Sequence, residues 1–219
     1  MKNKYQKYFV IGFNKTATNT FHNLFKNNEL KSYHCGISWK TENWKDKLND
    51  FDCFSDINWC LEDVKYLNNL YPNAIFILNC RDLNKWLISR FKHGLREFMN
   101  KGKHGFYPYT YDKCKSWIYY REKYHSDILN YFSDIPNKLL IVNIDKNNWI
   151  DFICSQLQFK NNKISSLNIH PTNKQNNHHK NIIELVNVTL QKLQYDKNSV
   201  LIKDKDLLNK QIQIYNHYI

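Results

Sequence analysis

The residues of this chain best suited to holding an anion lie between Gly12 and Thr20. The stretch GFNKTATNT sets Lys15, Thr16, Thr18 and Thr20 after the apolar run Tyr8–Gly12 and at the start of an amphipathic pattern over Thr18–Asn27. Strand, short loop and helix in that order make a cradle for negative charge. The first N–H groups of a helix have no internal partner, and the helix dipole favours an anion beside them. Threonine hydroxyls add donors, Lys15 adds a point charge, and Asn14, Ala17 and Asn19 add backbone amides. A plainer reading stays open, a connecting loop with a threonine N-cap and a solvated lysine. The order also differs from G-x-x-x-x-G-K-[ST]: Lys15 precedes the hydroxyls, and Ala17 stands where a second glycine is expected.

A second stretch, AIFILNCRDLNKWLISRFKHG (Ala74–Gly94), ends the strongest apolar run of the chain at Arg81 and Asp82. Ser89 follows Arg81 by eight residues, on a helical pattern. Ligands of open parallel sheets collect at the carboxyl ends of the strands, which sets Arg81 at the same edge as Lys15. An arginine fork with a serine hydroxyl makes a phosphate clamp, at ~1.5–3 kcal/mol per charge-assisted bond. A structural ion pair between Arg81 and Asp82 is the alternative.

The elements that must carry these residues follow from hydropathy. Tyr8–Gly12, Phe51–Ser55, Ala74–Asn79 and Leu139–Ile144 are strand candidates, mostly apolar throughout, as in a parallel sheet buried on both faces. Helical patterns fill the intervals at Thr18–Asn27, Leu61–Leu70, Asn84–Met99, Tyr111–Phe132 and Trp149–Leu157. The alternation predicts an α/β fold, three-layer α/β/α with a central, mostly parallel sheet. We expect one domain over 1–219, with a polar loop or flap over 160–180 and C-terminal helices over 181–219, at Asn181–Leu193 and Lys205–Tyr218.

A chain of 219 residues can bury a sizeable core. Its formal charge of +12 fits an anionic partner: nucleic acid, a membrane surface or a phosphorylated small molecule. Abundant Lys, Asn, Ile and Tyr with only 5 Gly also fit an AT-rich genome, a viral one included, and that dilutes the charge signal. No run reaches the ~18–20 apolar residues of a membrane span, and the N-terminus does not read as a signal peptide, so a cytoplasmic location is expected. The 6 cysteines form no C-x-x-C pair and no zinc spacing; free thiols and no metal are expected.

The loop and the Arg-x7-Ser spacing together resemble the sulfotransferase superfamily, which uses 3′-phosphoadenosine 5′-phosphosulfate (PAPS) as donor. GFNKTATNTFHNLF resembles that family's 5′-phosphosulfate loop, and CRDLNKWLIS its 3′-phosphate motif. YHCGISW, DFDCFSDINW, LYPNAIFILNCRDLNKW and LLIVNIDKNNWIDFICSQLQF follow in the order of a cytosolic-type subgroup, and NIHPTNK is similar to its Phe-Pro-x-x-Asn element. The likeness runs from Tyr8 to Lys174. It implies a P-loop NTPase-like sulfotransferase fold and sulfuryl transfer to a hydroxyl or amine. It implies Lys15 and the backbone of 14–20 at the 5′-phosphate, Arg81 and Ser89 at the 3′-phosphate, and Lys174 over the nucleotide. His178, His179 and Lys180 either join Lys174 or belong to a solvated loop. The departures are Ala17 for the usual glycine, Asn19 for a Thr or Ser, and Ile169–His170 before the proline.

The acceptor must lose a proton, so a general base is expected. Asp56 is the first candidate, His34 the second and His22 the third. Asp56 also suits the N-cap of the following helix, and His125 suits a structural histidine. Two other functions compete. A P-loop kinase would use magnesium and Asp145 at the end of LLIVNID. A nucleic-acid-binding protein would use the charge with Trp117, Tyr119 and Tyr120, aromatics whose helical setting places them in the core. The acceptor, whether small molecule, glycan or protein, is not legible in the sequence.

Overall fold

A computed structural model of the protein describes residues 7–35, 44–100, 110–160 and 177–196. Five strands form one sheet in the order β2-β3-β1-β4-β5, and every pairing between them is parallel. The strands are β1 (Tyr8–Val10), β2 (Ser32–His34), β3 (Cys53–Ser55), β4 (Ile75–Cys80) and β5 (Leu139–Asn143). The helices are α1 (Thr18–Asn27), α2 (Leu61–Leu70), α3 (Leu83–Asn100), α4 (Tyr111–Phe132), α5 (Trp149–Leu157) and α6 (Asn177–Lys192).

Side-chain alternation along each strand builds the layers. Phe9, Phe54, Phe76, Leu78 and Ile141 face one side, against Trp86, Phe91, Ile128 and Phe132 of α3 and α4 and Ile182 and Val186 of α6. Tyr8, Val10, Cys53, Ile77 and Val142 face the other, against Phe21, Leu24 and Phe25 of α1 and Trp149 and Ile153 of α5. Phe9 stacks between Phe54 and Phe76 with ring centroids 5.4 Å apart on each side, so an aromatic row crosses the sheet at its centre.

The expected α/β three-layer class is the observed one, with a sheet wholly parallel among the described residues. β2 is an additional strand. Its sequence, Ser-Tyr-His, has no apolar run because it lies at the sheet edge and buries only Tyr33. α6 starts at Asn177 and so takes in the last residues of the expected flap. Tyr119 and Tyr120 are corrected from core to surface, at 51% and 47% exposure. The buried positions of α4 run through Cys114, Ile118, Arg121, His125 and Ile128, which turns those two tyrosines outward. Trp117 is half-buried against Phe91, with centroids 4.6 Å apart. Most of the flap and the expected helix at Lys205–Tyr218 lie outside the described residues. All 6 cysteines are free thiols, Cys60 alone of them exposed. No helix among the described residues is long and apolar enough to cross a membrane.

Candidate functional site

β1 ends at Val10, and the chain turns away from the sheet at Gly12. A Cβ there would meet Asn79 O at 2.1 Å and Asn79 Oδ1 at 2.3 Å, so the close approach requires glycine. From this point the loop's carbonyls are held from behind by side chains. Trp59 Nε1 donates to Val10 O at 2.9 Å and Tyr124 Oη to Ile11 O at 2.8 Å. The Thr16 hydroxyl donates to Phe13 O, and Trp86 Nε1 to Asn14 O at 3.1 Å. Arg81 Nη1 donates to Lys15 O at 3.3 Å, and Asn79 Nδ2 to Thr16 O at 2.6 Å.

With the carbonyls turned inward, the amides have the opposite fate. Among the described residues the backbone N–H groups of Asn14, Lys15 and Ala17 through Thr20 are given no acceptor, while that of Thr16 closes a turn onto Phe13. Lys15 and Ala17 adopt left-handed backbone, at φ 68° and 64°, a conformation rare for residues with a side chain. Ala17 is the N-cap of α1 and makes no side-chain cap, and the first turn holds no acidic residue. The threonine N-cap of the plainer reading is therefore absent, and the positive end of the helix is not neutralised by its own sequence. Two threonine hydroxyls are spent elsewhere: Thr16 on Phe13 O, and Thr18 on Asp56 Oδ1 at 3.0 Å. Thr20 is half-buried and Asn19 exposed.

Asp56 follows β3 with φ 58° and so projects at the same sheet edge. It does not cap α2, whose N-cap is Cys60. His34, at the end of β2, has Nε2 3.8 Å from Asp56 Oδ2, and its Nδ1 is 2.9 Å from Ser55 Oγ. His22, on α1, lies with its ring centroid 5.2 Å from that of His34, and its Nδ1 is 2.9 Å from Ser32 Oγ. Burial pushes His34 below the usual histidine range, opposed by Asp56 and aided by Lys15. Burial, with the His34 and Lys26 charges, pushes His22 down to about 4. Lys15 is also pushed down, by burial first; the Asp56 carboxylate opposes the shift, while Arg96 and Arg90 add to it. The three candidates for proton chemistry thus meet Lys15 at one edge. His125 is buried against Phe13, 5.6 Å between ring centroids, as a structural histidine would be.

Arg81 stands just past β4. Its Nε is buried, makes no hydrogen bond among the described residues and pairs with the Asp145 carboxylate, Oδ1 at 3.6 Å. Asp145 also takes the Asp82 N–H at 2.9 Å and faces Lys85 Nζ at 3.4 Å. Asp82 pairs with Lys85 at 2.9 Å rather than with Arg81. Ser89 is half-buried on α3, about 9 Å along the helix axis from Leu83. Lys174 and the side chain of His178 lie outside the described residues; His179 and Lys180 fall in the first turn of α6.

Several residues at this site were not foreseen. Trp86, Arg90, His93 and Glu97 recur at helical spacing on α3 and share its face toward the loop. Arg90 donates to Asn14 Oδ1 at 3.0 Å and stacks on Trp117, 4.4 Å from the ring centroid. Arg96 Nη2 lies 3.1 Å from His93 Nδ1; Arg96 adds to the lowering of Lys15, and the Lys15 charge in turn lowers His93. The spacing from Trp86 was readable. So was Asn79, a lone amide in an apolar strand, since buried polar groups carry partners.

A family model described as "Sulfotransferase domain" matches residues 10–135, more than half of the chain and the span from the end of β1 through α4. A crystal structure of a sulfotransferase from Alicyclobacillus acidocaldarius is similar at a TM-score of 0.48 and 9% identity, covering 87% of this chain and 96% of that one. No curated protein matches the sequence.

Proposed function

The chain belongs to the sulfotransferase family, and from that premise we propose that it moves a sulfuryl group from PAPS to a hydroxyl or amine of its acceptor by in-line transfer. The observation that carries this reading is the loop 12–17. Its carbonyls are turned into the protein by Trp86, Arg81, Asn79 and Thr16, while the amides of Asn14, Lys15 and Ala17 through Thr20 are given no acceptor among the described residues. Such an array accepts a tetrahedral anion. A second cation, Arg81, whose Nε makes no hydrogen bond among the described residues and is paired only loosely with Asp145 at 3.6 Å, suits the 3′-phosphate.

When bound, the donor supplies an activated sulfuryl group on a phosphate leaving group. The protein's part is to position and to stabilise charge. The amides of 14–20 hold the 5′-phosphate, and Lys15 sets its ammonium against the charge that develops as the phosphate leaves. Arg81 and Ser89 bind the 3′-phosphate and so select this donor over ATP. Asp56 takes the acceptor's proton, with His34 beside it as the second candidate. His34 is held neutral by burial and is therefore competent as a base at neutral pH. No metal has a role.

Thermal shift without acceptor tests this reading. Adenosine 3′,5′-bisphosphate fills both anion sites, and at 100 times its Kd it stabilises by ~2.7 kcal/mol. At roughly 2–4 °C per kcal/mol for a chain of this length, the expected rise is about 5–11 °C. ATP and AMP give far less, EDTA changes nothing, and Arg81→Ala erases the preference. A magnesium-dependent shift with ATP and none with the bisphosphate would overturn the reading in favour of a kinase.

A further inference from the structure

Asn79 is fully buried on β4, in a strand that is otherwise apolar, and the transfer proposed above gives it no task. We propose that Asn79 is a positioning residue whose amide sets the loop 12–16 in the shape that presents its N–H groups and Lys15 to the 5′-phosphate; this rests on the donor reading above.

The argument is geometric. Asn79 Oδ1 accepts the Gly12 N–H at 2.8 Å, at the start of the loop. Its Nδ2 donates to Thr16 O at 2.6 Å and to Thr16 Oγ1 at 2.7 Å, near the end of it. The Thr16 hydroxyl passes its own proton back to Phe13 O. One planar amide therefore fixes both ends of the turn that contains Lys15. It needs both its donor and its acceptor to do so. A buried asparagine serving only its own satisfaction would need neither end of this loop. The arrangement also explains Gly12: any side chain there would occupy the place of the Asn79 carbonyl groups. Because the loop has positive φ at Lys15 and Ala17, it is not a shape the backbone holds unaided.

Asn79→Asp keeps the size and still accepts from Gly12, but it faces Thr16 O without a donor and adds negative charge behind the anion site. The experiment measures binding of two nucleotides to the full chain by calorimetry, with circular dichroism as the folding control. Adenosine 3′,5′-bisphosphate uses both sites; adenosine 3′-monophosphate uses only the one at Arg81. The variant is expected to bind the bisphosphate on the order of 100-fold more weakly, while its affinity for the 3′-monophosphate changes by less than about threefold. Should Asn79→Asp not fold, Thr16→Val decides: it keeps the carbonyl that Asn79 holds, loses the hydroxyl, and is expected to show the same selective loss at about 10-fold. Equal weakening of both nucleotides would mean a merely structural asparagine and overturn the proposal. So would unchanged bisphosphate affinity in the variants. A wild-type protein that binds neither nucleotide would remove the donor reading, and this inference with it, a result distinct from either variant outcome.

Discussion

At the scale of single residues the site divides its labour by charge. In the proposed transfer Lys15 is the cation at the leaving group, and burial lowers its affinity for a proton. Asp56 is held by the Thr18 hydroxyl and lies 3.8 Å from His34, and in the proposed transfer one of the two is the base and the other assists it. Asp56→Asn is expected to lower turnover by ~10²–10⁴ with donor affinity little changed. If His34 were the base instead, His34→Ala would be the dead variant and Asp56→Asn the mild one. Their pH profiles separate the cases further. A rate governed by His34 falls only as pH drops through a value below the usual 6.5, because burial depresses that imidazole. Lys15 and Asp56 were legible in the sequence as residue types that follow apolar runs, and His34 as a lone histidine near them. Asn79, Arg90 and His93 were legible as a buried amide and a helical spacing, but not in their contacts with the loop. Their parts depend on which strand neighbours β1 and on the rotation of α3, and neither is written in a single stretch of chain.

At the scale of elements, the helices and the inner strands were readable because their period or apolar run is their burial. α1, α2, α4 and α5 span the residues their hydropathy indicates. β2 was not readable, since an edge strand of three residues carries no pattern that a loop does not. The loop between β1 and α1 was readable in composition but not in conformation. Ala17 at φ 64° is the case in point. Ala17→Gly removes a Cβ from the left-handed region, which favours the folded state by ~1–2 kcal/mol, and adds freedom to the unfolded chain, which opposes it by ~0.4–1 kcal/mol. The expected net is a gain of roughly 0.5–1 kcal/mol, or a rise in Tm of about 1–4 °C, with the donor site intact. A fall in Tm would show that the methyl group, which packs beside the α1 core, contributes more than the strain costs.

At the scale of the whole molecule the buried histidines make stability depend on acidity. His22 sits at about 4 when folded and near 6.5 when unfolded, and His34 and His93 are lowered in the same direction, each by burial first. The unfolded chain therefore binds more protons below pH 6.5. Stability from these groups is complete above 6.5 and drains away as pH falls toward about 4, the value for His22. A Tm series across that window should slope downward on acidification, and His22→Asn should flatten it. A series flat from 6.5 to 4 would mean that these rings take up no fewer protons in the folded protein than in the unfolded one.

The strand order β2-β3-β1-β4-β5 has a consequence for how the protein is made. Among the described strands β1 comes first in the chain, and it is the one at the centre of the sheet. It cannot pair on one side until Cys53 of β3 exists, nor on the other until Ile75 of β4 does. The last strand, β5, arrives at Leu139. At about 5–20 residues per second, tens of residues of waiting amount to several seconds during which Phe9, Phe21 and Phe25 have no sheet to join. The nascent chain thus exposes this aromatic segment before its partners exist, and a ribosome-associated chaperone would find an attachment there. The anion loop, strung between β1 and α1, cannot assume its shape until Asn79 has emerged to hold it.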